Sequence, residues 1–215
     1  MVDLLGLFSI ALVCLLTFFI AMRQPSISKI LFIALIVRLI LLIIGEFIDL
    51  PDSGRDEENF EDIAWKYAKD GFYNLPIHFE GPSPYFISWL IAIPYSLLDR
   101  SELMAKSISL LFGVGSVYLG WLVAKKIWDK SIANKVAWTI TLFPSLVLYS
   151  ILILREAYVV FFLLLALYGV VSWTKTGSVK SIILAMIGFF GATFFHGATF
   201  VGGLTFLAFV LISII

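Results

Sequence analysis

Long apolar runs separated by short polar turns dominate the chain, at residues 2–22, 29–48, 104–124, 134–153, 155–173, 180–196 and 197–215. Runs of about 20 apolar residues match the thickness of a hydrocarbon core. The pattern therefore predicts an all-α polytopic membrane protein with about seven transmembrane helices. Only a tight turn at Leu154–Arg155 separates the fourth run from the fifth, and His196–Gly197 separates the sixth from the seventh. Between the second and third runs the period changes. From Asp56, the apolar residues Phe60, Ile63, Ala64 and Tyr67 follow i, i+3, i+4, i+7, one stripe of an amphipathic helix. Ser53, three residues before Asp56, resembles a capping box, and Gly71 is a stop signal. Pro84–Leu98 is apolar but too short to span, and Pro94 is expected to break a spanning helix. The segment 49–103 thus reads as a long loop carrying two interfacial helices.

Composition agrees with a bilayer solvent. Hydrophobic residues make up 61% of the 215, with mean hydropathy +1.03, against about 45–50% in a soluble domain. The formal net charge is zero, which argues against a nucleic-acid partner. Cys14 is the single cysteine, so no intrachain disulfide can form. Asp3 stands where a signal peptide would carry basic residues, so the first run reads as a retained helix.

Charge then orients the chain. If Pro84–Leu98 does not span, Arg23, Lys29, Lys125, Lys126, Lys130, Lys135, Lys175 and Lys180 share one side, with Asp129 as the one acid there. Positive loops stay inside. The expected topology places the N-terminus, the 49–103 loop, the Arg155–Glu156 turn and the His196 turn outside, with the C-terminus in the cytoplasm. A plasma (inner) membrane is the expected location.

Several polar residues on that outer face could carry chemistry. Asp56 could act as a general base on a hydroxyl or simply cap a helix. Glu57, Glu58, Glu61 and Asp62 form a solvated face, or hold a divalent cation through oxygen ligands. Glu80, in a turn rich in Gly and Pro, could serve as a second acid. Arg155 and Glu156 could satisfy each other, or the Arg155 fork could bind phosphate. Arg100 and Lys106 flank the third run, where they could snorkel or meet an anionic head group. His196 sits beside glycine at an outer turn, where a structural role is the plainer reading. Arg38 lies mid-span and needs a partner, with Glu46 the acid nearest along the chain. No strong metal-ligand spacing is present.

The order of these features resembles the GT-C superfamily of membrane glycosyltransferases, in the branch of protein O-mannosyltransferases and lipid A aminoarabinose transferases. A span with Arg38 leads to a loop with Asp56 and Phe60, then Ile63–Ala64 and "DGFY" at 70–73. "FEGPSPY" at 79–85, a short helix, and a span with Lys106, Gly113 and Gly115 follow. A basic loop, Pro144 in the next span and "REA" at 155–157 complete the order. The resemblance covers roughly residues 30–200, leaving 1–28 as an extra N-terminal helix and turn before a GT-C-like domain at 29–215. Phe79, Glu80, Pro82 and Tyr85 fit the family's second loop motif, with Gly81 where that motif carries a lysine.

The resemblance implies transfer of a sugar from a polyprenyl-phosphate donor to a lipid, glycan or protein acceptor. Asp56 would be the base, Glu80 or Glu57 a second acid, and Arg155, Arg100 or Lys106 the donor-phosphate contact. Glu156, His196 and Tyr85 would stand nearby. Some members use a divalent cation. Members are commonly about twice this length, so a further portion or a second chain would be expected to complete the fold. Two other readings follow from the residues alone. One is a non-catalytic membrane subunit or scaffold whose acidic outer helix docks a partner, in binding that polar substitutions of Phe60, Ile63 and Tyr67 would abolish. The other is a transporter fragment, which expects charges near the midplane beyond Arg38.

Overall fold

The computed structural model describes residues 3–214, which form ten α-helices and two short 3₁₀ segments. No β-strand occurs among the described residues. The helices are α1 Leu4–Arg23, α2 Ser28–Gly45, α3 Arg55–Lys69, α4 Phe86–Leu97, α5 Glu102–Ile127, α6 Lys130–Leu142, α7 Pro144–Tyr149, α8 Glu156–Thr176, α9 Val179–Phe195 and α10 Phe200–Ile214. Four of them, α1, α2, α5 and α8, are long and apolar enough to cross a membrane. Helices α9 and α10 are apolar but shorter. The predicted run 134–153 is not one helix. Phe143 adopts an extended conformation and Pro144 opens α7, so the element breaks into α6 and α7. Proline lacks an N–H and cannot continue the α6 ladder.

Helix α5 is the central post, buried along most of its length against α1, α6 and α8. Ser101 caps its start by accepting from Met104 N at 3.0 Å, and also donates to Asp3 Oδ2 at 2.6 Å. Asp3 caps α1 through Gly6 N at 2.8 Å. One aspartate thus closes α1 and ties it to α5.

Helices α8 and α9 pack most closely. A Cβ on Gly188 would lie 2.3 Å from Ala166 N, and one on Gly169 would lie 2.3 Å from Ala185 N. Small residues let helix backbones approach where lipid removes the hydrophobic drive between helices.

The α3 amphipathic stripe forms as its period predicts, with Phe60, Ala64 and Ala68 buried and Ile63 and Tyr67 half-buried. Helix α3 ends at Lys69, and Gly71 follows at φ 84°. One expectation fails locally. Ser53 does not cap α3, because its hydroxyl donates to Leu50 O at 2.6 Å and Gly54 takes the cap position. Helix α4 continues through Pro94 to Leu97. Its packing holds it across the proline: Ile87, Ile91 and Ala92 are fully buried, Tyr95 nearly so, and Ser88 donates to Phe60 O at 2.7 Å.

Between α7 and α8, Ile151, Leu152, Ile153 and Leu154 form a buried non-helical connection. It meets α3 and α4 at one end of the bundle, with the end of α9 beside it.

Candidate functional site at the α3 end of the bundle

Asp56 is the second residue of α3, not its cap, and its exposed side chain makes no hydrogen bond among the described residues. It faces a cleft of about 580 Å³ lined by Asp52, Ser53, Gly54, Arg55, Asp56, Tyr149, Leu154 and Glu156. Three carboxylates and one guanidinium therefore share this space. Two loops build it. The Pro51–Asp52–Ser53 turn places Asp52 at φ 63°, a left-handed conformation that aspartate tolerates better than most residues. Tyr149, at the end of α7, donates to Asp52 Oδ2 at 3.2 Å and closes the far wall.

An apolar groove of about 260 Å³ adjoins the cleft, lined by Arg155, Glu156, Val159, Val160, Phe195 and His196. Glu156 borders both spaces. The Arg155 guanidinium lies over the Phe60 ring, 5.7 Å from its centroid. Arg155 and Glu156 do not pair: neither makes a salt bridge among the described residues. The expectation that they satisfy each other fails because Glu156 opens α8 toward the cleft while Arg155 lies across Phe60.

The other expected residues stand elsewhere. Glu57, next to Asp56, turns about 100° around the helix and is only 6% exposed. Its Oε1 accepts from Ile153 N at 3.0 Å, so its role is to hold the buried connection. Burial pushes this carboxyl above the usual carboxylate range, against the Ile153 bond and the Lys106 charge, which hold it down. Glu61, 5% exposed, accepts from Tyr95 Oη at 2.7 Å and from Arg100 Nε at 3.0 Å, with a second, close contact to Arg100 Nη2. Arg100 also meets Asp62 at 2.7 Å. Lys106 pairs with Glu102 at 2.7 Å and Glu46 at 3.6 Å. Two of the three cations expected to contact a donor phosphate, Arg100 and Lys106, are therefore engaged by carboxylates, and they line an acidic pocket with Glu57, Glu58 and Glu61 that meets the Asp56 cleft at Ser53.

Glu80 is also apart from Asp56. It accepts from Ser83 Oγ at 3.2 Å and borders a small pocket with Tyr67, His78 and Tyr85. Tyr85 packs edge-on against Phe60, at 6.2 Å between centroids. His196 is exposed at the mouth of the groove. Among the described residues, no group of three or more His, Cys, Asp or Glu could hold a metal ion.

Arg38 has partners, though Glu46 is not among them. It donates to Ser150 Oγ at 2.8 Å, Ala34 O at 3.1 Å and Thr141 O at 3.4 Å. Thr141 lies in the last turn of α6, where the break leaves carbonyls without helical donors. The sequence reading missed Asp52, Arg55 and Tyr149 as cleft residues. The Pro51–Asp52–Ser53 turn signal could have pointed to Asp52; nothing local marks Tyr149.

No protein-family model, curated protein or solved structure matches this chain.

Proposed function

We propose that the chain is a membrane glycosyltransferase acting on a polyprenyl-phosphate sugar, as its resemblance to the GT-C superfamily implies. The supporting observation is one juxtaposition. A carboxylate-lined aqueous cleft opens beside an apolar groove headed by Arg155 and His196, and the two share Glu156. A lipid-linked donor needs both surroundings at one depth. Its chain would lie along Val159, Val160 and Phe195, and its phosphate would meet Arg155.

In this reading Asp56 takes the proton of an acceptor hydroxyl in the cleft. The acceptor oxygen bonds to the anomeric carbon as the bond from that carbon to the phosphate oxygen breaks. Polyprenyl phosphate leaves with its added negative charge beside the Arg155 fork. Glu57, Glu80, Arg100 and Lys106 have no contact role in this scheme. The proposed topology has seven crossings, with α6 and α7 together making one, and the α3 end outside the plasma membrane.

In the partner-docking alternative the acidic outer helix binds a partner, and of the apolar residues it would call on Phe60 is already buried in the core and Tyr67 partly packed against it. The test is sugar transfer by protein reconstituted in liposomes with a polyprenyl-phosphate sugar. A positioned base contributes about 10²–10⁴-fold, so Asp56→Asn should lower transfer by at least about a hundredfold. Retention of most activity would overturn the assignment.

A further inference from the structure

The 3₁₀ segment Phe72–His78 joins the end of α3 to the turn before α4. Tyr73 is 94% exposed there and Ile77 78%, and Phe72 and Phe79 are exposed as well. The segment is nonetheless fixed. Leu75 is buried, and Trp89 of α4 donates its indole N–H to Leu75 O at 2.9 Å. Asn74 donates to Asp70 O at 2.7 Å. His78 Nε2 lies 2.7 Å from Asp70 Oδ2, and its ring stacks on Tyr67. The polar side chains of the segment thus turn back onto the end of α3, and the surface left outward is apolar.

That surface is continuous with the side of the bundle. On α9, Ile183, Ile187 and Phe190 are exposed at i, i+4, i+7, the spacing of one helix face. Phe190 packs edge-on against Phe194 at 4.8 Å between centroids, and Phe194 meets Phe79 at 6.0 Å. An apolar lane therefore runs from the outward face of α9 to the tip of the loop. Helix α9 lies along α8, one of the four helices long and apolar enough to cross a membrane. In a bundle that crosses through α8, the outward face of α9 meets hydrocarbon, and the lane ends at headgroup depth. Tyrosine is enriched at that depth because its ring is apolar and its hydroxyl is not. Phe60 and Ala64 of α3 and Ile87 and Ile91 of α4 are buried inside the chain, so lipid contact falls to the segment between these helices.

We propose that Phe72–Phe79 anchors the 49–103 loop to the bilayer, with Phe72, Tyr73 and Ile77 entering the phospholipid headgroup boundary beside α9. The anchor sets the height of α3, and with it the cleft, relative to the membrane. It requires a membrane-spanning bundle and stands whether or not the cleft transfers sugar.

The test uses the full chain in phosphatidylcholine–phosphatidylglycerol liposomes. Cys14→Ala removes the single native thiol, and a nitroxide is attached at Tyr73→Cys or Ile77→Cys, exposed positions whose replacement leaves the core intact. Power-saturation EPR compares collisions with oxygen, concentrated in hydrocarbon, and with a nickel chelate in water, on a depth scale set by nitroxide-labelled phosphatidylcholines. Both labels should read about 5–10 Å into the headgroup–acyl boundary. Labels at aqueous depth would overturn the proposal. Labels shielded from both reagents would also overturn it, because the segment would then be covered by protein, such as a second copy of the chain. If the labelled variants do not fold, photoactivatable phosphatidylcholine in liposomes of the wild-type protein decides. Adducts on residues 72–79 support the anchor; adducts on α9 with none on 72–79 sink it.

Discussion

Glu57 offers a sharp separation between a hydrogen bond and a charge. Its carboxylate holds the Ile153 N–H inside a buried connection while itself almost fully removed from water. Glu57→Ala removes the acceptor and orphans that N–H, which costs about 1–3 kcal/mol for a buried donor. Glu57→Gln keeps a carbonyl oxygen in reach of Ile153 and removes the charge. It should therefore cost much less than the alanine variant. The pH dependence follows from the raised folded-state pKa. The folded protein binds the Glu57 proton more tightly than the unfolded chain does, so its contribution is fully present at low pH. That contribution falls as pH rises from the usual carboxylate range through the folded value, and is flat above it. Glu57→Gln should remove this downward slope, so the variant gains on wild type as pH rises through the window. The assay is denaturant unfolding in micelles at several pH values from acid to neutral. Equal destabilisation by Gln and Ala, or an unchanged slope in Glu57→Gln, would refute the reasoning.

Other substitutions read separate parts of the structure. Arg100→Ala leaves Glu61 buried with only Tyr95 as partner; because the Arg100 side chain is 42% exposed, the expected loss is about 1–2 kcal/mol in unfolding free energy, below the 3–5 kcal/mol of a fully buried pair. Gly188→Leu drives a side chain into the Ala166 backbone and should lower the thermal midpoint in detergent by an overpacking cost of about 1–3 kcal/mol or more; an unchanged midpoint would mean that α8 and α9 do not meet there. In the proposed reaction, Arg155→Ala should raise the KM for the lipid-phosphate donor, while Lys106→Ala should act on stability and leave that KM unchanged, because Lys106 already pairs with Glu46 and Glu102.

The helices were legible in the sequence where one period governed them. The runs 2–22, 29–48, 104–124 and 155–173 appear as α1, α2, α5 and α8, and the stripe through Phe60 and Ala64 faces inward as its spacing required. Local rules failed where tertiary contacts outweighed them. Pro94 sits inside α4 because Ile87, Ile91 and Tyr95 fix that helix against its neighbours, and Ser53 turns back to Leu50 instead of capping α3. Of the candidate site, Asp56, Arg155, Glu156 and His196 reach two adjoining spaces. Arg100 and Lys106 looked equally suited to phosphate, but Arg100 is held by Glu61 and Asp62 on α3, which no spacing rule reports, and Lys106 is held by Glu102, legible at i, i+4 on α5, and by the distant Glu46. Arg38 was visible as an anomaly, yet its partner Ser150 lies 112 residues away.

The bond from Ile153 to Glu57 spans 96 positions, and that separation bears on the order of assembly. During synthesis α3 emerges first and waits while α4, α5, α6 and α7 follow. Until Ile153 arrives, the Glu57 carboxylate has no backbone donor to meet and remains hydrated. Docking of the polar loop is therefore a late event, dependent on the helices that come after it. A nascent chain halted before residue 153 should leave α3 open to proteolysis, and one halted well beyond it should protect the same helix. Protection already complete in the shorter chain would show that α3 settles without its latch.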